Sequence, residues 1–208
     1  ENDILANNPL YVVDVGARDG MHPRWAKFTS SYRGILFEPE EKEYDLLKSK
    51  SGKNFIVHNS ALSDSANTLD FHLCRKLGVS SVYLPNIDFL GKFPDVKRFD
   101  VIKNIKVKAD TLNNQLKKND IYEIDFMKID TQGYELPILQ GSVDYFDNMV
   151  GLELEVEFVP MYEKQPLFSE VDSFVRGHGF ELFDIKRYYW KRKENKNTGS
   201  QKGQLVCG

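Results

Sequence analysis

The sequence predicts an α/β fold: a doubly wound, mostly parallel sheet covered by helices. Three observations carry this prediction. Short β-branched and apolar runs alternate along the chain with stretches of helical composition, the pattern of a parallel sheet covered on both faces. The first apolar run, Val12-Val13-Asp14-Val15, ends in an acid and leads into the glycine-spaced turn Gly16-Ala17-Arg18-Asp19-Gly20. The second, Gly34-Ile35-Leu36-Phe37-Glu38, also ends in an acid, 24 positions after Asp14.

In chain order, strands are expected over Leu10–Val15, Gly34–Glu38, Phe55–Asn59, Asp125–Asp130, Val150–Val156, Phe180–Ile185 and Gln204–Cys207. Helices are expected over Pro23–Ser31, Glu41–Lys50, Thr111–Lys118, Leu136–Phe146 and Ser169–His178. The stretch Thr68–Lys108 breaks the alternation. Thr68–Leu73 and Ile105–Lys108 have the period-2 pattern of extra strands. Between them, Gly78–Phe99 is rich in Ser, Pro, Asn and Gly with scattered aromatics, as expected of a lid or binding insertion. No internal repeat or linker divides the chain, so residues 1–208 are expected to form one domain. The first residue is Glu1 and the last segment stops on a strand signal, as expected of a domain excised from a longer protein.

Composition narrows the function. At 208 residues and 41% hydrophobic, the chain can bury a full core without disulfides or metals. A formal net charge of −3 gives nothing that would draw nucleic acid or an anionic membrane. Two cysteines, Cys74 and Cys207, are too few for a disulfide framework or a metal knuckle. A membrane span, a signal peptide and an N-x-S/T sequon are all absent from this sequence, and a cytoplasmic location is expected.

A strand, a tight glycine turn and a following helix start form the scaffold on which nucleotide-type ligands are held. Glycines allow close backbone approach, and an acid about 20 residues on suits ribose hydroxyls. A dinucleotide site would carry glycine where this chain has Asp14, and a carboxylate there disfavours a pyrophosphate. S-adenosylmethionine (SAM), with an ammonium, a sulfonium and no phosphate, is the better match. The adenine is expected along Ser60, Ala61 and Leu62, with Asp64 accepting from its amino group. The competing explanation is that Asp14 caps a turn and the glycines serve only the loop.

Several phrases together resemble the FkbM-type methyltransferases: Val13-Asp14-Val15-Gly16-Ala17, Phe37-Glu38-Pro39, Lys128-Ile129-Asp130-Thr131-Gln132-Gly133-Tyr134-Glu135 and Leu139-Gln140-Gly141. The resemblance implies a SAM-dependent, Rossmann-like class I methyltransferase with seven strands, the last antiparallel. It also implies methylation of a hydroxyl on a sugar, glycan or natural-product acceptor. Arg18-Asp19 and Gln132 depart from the family's usual Asn-x and Glu.

Cofactor contacts are therefore expected from Asp14, Gly16, Ala17, Asp19, Gly20, Glu38, Pro39, Ser60, Ala61, Leu62 and Asp130. Methyl transfer to an alcohol needs a base, for which Asp130 is the first candidate and Glu135 the second. Capping of the next turn, with Gly133 left-handed, is the structural alternative for Asp130. Glu153, Glu155 and Glu157 share one strand face; Glu153 is expected to pair with a lysine or arginine, and no metal is expected. The basic, aromatic run Lys186–Lys193 reads as an edge hairpin. The four histidines suggest no catalytic arrangement. A nonenzymatic SAM- or nucleotide-binding module is the main competing function, and a NAD-linked oxidoreductase a weaker third.

Overall fold

The computed structural model describes residues 5, 7–28, 31–195 and 203–208. Strand β1 (Leu10–Val15) is followed by a 3-10 segment (Pro23–Phe28), β2 (Tyr32–Phe37), α1 (Glu41–Lys50), β3 (Phe55–His58), β4 (Ala61–Leu62) and β5 (Asn67–Cys74). Next come α2 (Ile87–Leu90), β6 (Val101–Asp110), α3 (Leu112–Lys117), β7 (Phe126–Ile129), α4 (Glu135–Gln140) and β8 (Gly151–Leu154). The chain ends with α5 (Phe168–Gly177), β9 (Tyr188–Trp190) and β10 (Gln204–Cys207).

The central sheet has five strands in the order β3-β2-β1-β7-β8. β1 pairs in parallel with β2 and with β7, and β2 in parallel with β3. Strand order reverses at β1, so the crevice beyond its carboxyl end is the topological switch point where such sheets bind ligands. Burial explains the strand compositions. Val12, Val13, Val15, Ile35, Leu36, Phe37, Met127 and Ile129 are all buried, giving the continuous apolar runs of a sheet covered on both faces. Gly34 makes room across the pair: a Cβ there would lie 2.4 Å from the Phe55 ring. α1 is stopped and started by charge and caps. The Glu40 carboxylate accepts from the Glu43 N–H at 3.0 Å, and Lys48 and Lys50 lie in the last turn.

Two compact units are built from interleaved segments. The first takes residues 1–68, 107–130 and 137–153 and holds the central sheet. The second takes residues 69–106, 131–136 and 154–208. Its core contains Cys74, Phe89, Leu90, Phe93, Phe99, Met161, Tyr162 and Val206, with Trp190 packed against it. Both cysteines are buried, and neither forms a disulfide.

Several expectations are corrected. Five strands, not seven, form the central sheet among the described residues, and β10 pairs antiparallel with β9 in a separate two-stranded sheet. Phe180–Ile185 forms no strand: Leu182 and Phe183 are exposed, and alternation alone cannot supply a neighbouring edge. The helix expected over Leu136–Phe146 breaks into α4 and a 3-10 segment, Val143–Asn148. Pro23–Ser31 is 3-10 as far as Phe28, and residues 29 and 30 lie outside the described residues. The strand signals near residues 68 and 105 extend into β5 and β6, and β4, missed in the sequence, pairs with β6. The segment expected as a long loop contains α2 and two 3-10 turns, Leu77–Val79 and Val96–Phe99. The hairpin reading of the basic run is borne out by the β9–β10 pairing. Trp190 is anchored there under the Arg98 guanidinium, 4.5 Å from the ring centroid.

Candidate active site

The carboxyl ends of β1, β2, β3 and β7 are stitched together by backbone hydrogen bonds. Gly16 N–H and Ala17 N–H both donate to the Phe37 carbonyl, at 3.1 and 3.2 Å. Glu38 N–H donates to the His58 carbonyl at 3.1 Å, and Asp130 N–H to the Val15 carbonyl at 3.1 Å. Gly16 and Gly20 have φ of 81° and 80°, which L side chains rarely adopt, so the turn requires glycine at both. Within the first unit, the Gly16–Gly20 turn, Glu38, Pro39 and Asp130 therefore belong to one strand-end cluster.

Asp14 is 2% exposed, and Lys128, its cross-strand neighbour on β7, donates to its Oδ1 at 3.2 Å. The same ammonium lies 3.6 Å from Asp130 Oδ2. Burial lifts the Asp14 carboxyl above its ordinary range despite Lys128. Burial would push the Lys128 ammonium down, but Asp14, Asp130 and Glu153 push it up and prevail. Lys128 thus balances Asp14 internally, so the Asp14 charge by itself does not select SAM over a pyrophosphate. Two further carboxylates stand at this end of the sheet, Glu38 and Asp130.

Glu38 is 6% exposed, and burial raises its carboxyl to about 7, against the opposing pull of the Glu40 N–H and of Arg18. The Glu40 N–H donates to Glu38 Oε1 at 2.9 Å. Arg18 is itself tied to Glu43 at 2.6 Å. Asn59 Nδ2 reaches the Glu38 carbonyl at 3.2 Å, a contact the sequence did not signal. Asp130 is more open, its side chain 41% exposed.

Other candidate residues fall differently. Ala17 packs its methyl among Leu36 and Leu47, leaving only backbone for a ligand. Asp19 is exposed. Ser60 Oγ donates to the Ala61 carbonyl at 2.8 Å, and Leu62 is buried in β4. Asp64 Oδ1 accepts from the hydroxyls of Ser63 and Ser65, both at 3.0 Å. Gly141 closes on this loop: a Cβ there would stand 2.0 Å from the Ser63 carbonyl oxygen. The family-like Leu139-Gln140-Gly141 phrase thereby acquires a packing reason that no sequence period reveals.

Glu135 belongs to the second unit. It is 2% exposed and accepts from Thr131 N–H at 2.8 Å, Thr131 Oγ1 at 3.0 Å and Gly133 N–H at 3.3 Å. Burial raises its carboxyl to about 7 although these hydrogen bonds oppose it. Glu135 therefore serves as an acceptor for the loop amides, with Gly133 left-handed at φ 99°.

Glu153 pairs with Arg24 at 2.6 Å, as expected. Glu155 accepts from Gln132 Nε2, and Glu157 is buried. The histidines have local roles: His22 Nδ1 accepts from Arg24 N–H at 3.2 Å, and His58 stacks on Phe37 at 4.6 Å. His72 meets Asn104 at 2.8 Å and His178 the Phe174 carbonyl at 2.9 Å. No group of three or more His, Cys, Asp or Glu suited to a metal occurs among the described residues. Nor does any described helix have the length and apolarity to cross a membrane.

The family model of the FkbM methyltransferase domain matches residues 14–182. That match spans the glycine turn, Glu38, Asp130 and the α4 phrase. A curated relative, "Methyltransferase sdnD" of Sordaria araneosa, is 23% identical over 202 residues, covering 86% of this chain and 76% of that protein. With the glycine turn and the two acids inside a matched span that covers most of the sequence, this chain belongs to the FkbM methyltransferase family.

Proposed function

We propose that the chain is a SAM-dependent O-methyltransferase acting on a hydroxyl of a sugar, glycan or natural-product acceptor. In this reading residues 1–208 form one methyltransferase domain acting in the cytoplasm. The observation that carries it is the strand-end cluster of the first unit. A buried acid, Glu38, sits beside a left-handed glycine turn, and a half-exposed acid, Asp130, ends β7.

These residues suit SAM chemically. Glu38 offers a carboxylate to a vicinal diol, and the Gly16–Gly20 backbone permits close approach where a Cβ would intrude. When bound, SAM supplies an electrophilic methyl group on its sulfonium. Asp130 would take the acceptor's hydroxyl proton as that oxygen receives the methyl group in exchange for the sulfonium's bond to it. The products are a methyl ether, S-adenosylhomocysteine and a proton held on Asp130. Lys128, shared between Asp14 and Asp130, draws the Asp130 carboxylate toward β1. Pro39, Ser60, Ala61 and Leu62 would border the adenosine half, and Asp19 is an exposed residue of the glycine turn.

Calorimetric titration with SAM, S-adenosylhomocysteine and NAD separates the cofactor classes. Micromolar binding of the first two, with none of NAD, is expected. A screen of simple sugars and alcohols for S-adenosylhomocysteine release then tests the reaction. Asp130→Asn is expected to keep SAM affinity while turnover falls more than about a hundredfold, the lower end of general-base contributions. NAD binding in place of SAM would overturn the cofactor, and SAM binding without any methylated acceptor would favour a nonenzymatic module.

A further inference from the structure

In the second unit, Gln132 has φ 59°, a left-handed conformation that a glutamine rarely adopts, and Gly133 follows at φ 99°. Side chains distant in sequence hold this backbone. Ser81 Oγ donates to the Gln132 carbonyl at 2.7 Å. The Tyr162 hydroxyl lies 3.0 Å from Gln132 Oε1 and 3.0 Å from the Val79 carbonyl. The Gln132 amide nitrogen donates to Glu155. Gln165 accepts the Tyr162 N–H, and its Nε2 would stand 3.2 Å from a Cβ placed on Gly133.

Ser81 and Tyr162 are both fully buried. One comes from the insertion and the other from the tail. Burial above all, then the carboxylates of Glu157, Glu155 and Glu135 and the Cys74 thiol, hold the Tyr162 hydroxyl well above its ordinary range. It therefore remains a donor throughout the working pH range. A buried phenol needs a partner for its hydroxyl, and this one is shared between the Val79 carbonyl and the amide oxygen of the strained residue.

We propose that Tyr162, seconded by Ser81, is a positioning residue for methyl transfer. It holds Gln132 left-handed and thereby fixes the course of the chain on leaving Asp130, two peptide bonds upstream. This rests on Asp130 as the proton acceptor. Small displacements of a reacting group can cost two orders of magnitude in rate, so the effect belongs in turnover and not in SAM binding.

The test is a double-mutant cycle of Tyr162→Phe and Gln132→Gly, since glycine adopts the left-handed conformation unaided. Turnover is read with the sugar or alcohol that releases most S-adenosylhomocysteine, and SAM affinity by calorimetry. Amide exchange at Gly133, measured on the ligand-free protein, needs no acceptor. Tyr162→Phe is expected to lower turnover at least about tenfold, leave SAM affinity within twofold, and speed Gly133 exchange. On the Gln132→Gly background the same change should have no further effect on turnover. An equal loss on both backgrounds, or unchanged Gly133 exchange, would overturn the proposal. If Tyr162→Phe does not fold, Ser81→Ala replaces it in the same cycle with the same non-additivity expected. Asp130→Asn, run in parallel, keeps the two readings apart. Full turnover there would refute the base, while the coupling in Gly133 exchange would still report whether Tyr162 holds the turn.

Discussion

In the proposed SAM site, Glu38 would couple ligand binding to pH through one carboxyl. Its folded value of about 7 lies above the ordinary 4.5, so the ligand-free fold binds its proton more tightly than the unfolded chain does. Its contribution to stability is present below pH 4.5 and is lost as pH rises toward 7. SAM affinity should run the other way, because the ionised carboxylate is the form that accepts both ribose hydroxyls. Calorimetry between pH 6 and 8 should show affinity rising with pH, and Glu38→Gln should flatten that rise. Glu38→Ala should weaken SAM by at least about tenfold, equivalent to ~1.4 kcal/mol. Lys128 makes a second prediction at this scale. Lys128→Met leaves Asp14 buried beside no cation and should cost about 3 kcal/mol, read from the urea midpoint. Asp14 was legible in the sequence as the acid ending an apolar run, and Lys128 as the first residue of the Lys128–Glu135 phrase. Their mutual pairing was not visible, because register between β1 and β7 depends on residues more than a hundred positions apart.

Secondary-structure elements were legible in proportion to how local their determinants are. β1, α1 and β10 appear with their expected bounds, each marked by an unbroken apolar run or by capping and charge at its ends. The segment 180–185 carried the same alternation and still formed no strand, since a strand exists only where another presents its edge. The helix after Asp130 was placed roughly, but the residue that organises its entry, Glu135, looked like a candidate base and proves to receive the loop amides. Gly141 is the sharpest lesson here. A glycine ending a helix reads as an ordinary cap, while the structure shows a contact with the backbone of Ser63 that no side chain fits. Gly141→Ala should therefore lower stability by about 1–3 kcal/mol, with Gly78→Ala, which meets open space, as the neutral control. Thermal melting of the two variants checks the contrast.

The molecule as a whole interleaves its two units, the chain passing between them five times. No single cut separates them, so a fragment ending at Asp130 lacks β8 and the Gly141 packing that complete the first unit. Such a fragment should show no cooperative melting by circular dichroism. Both thiols add a consequence of a different kind. Cys74 and Cys207 lie inside the second unit, and burial pushes the Cys74 thiol up to about 11. A thiol-reactive dye therefore finds the native protein mute and the opened one doubly responsive. That contrast makes the pair a built-in clock for how often the second unit breathes, readable without adding a label or altering a residue.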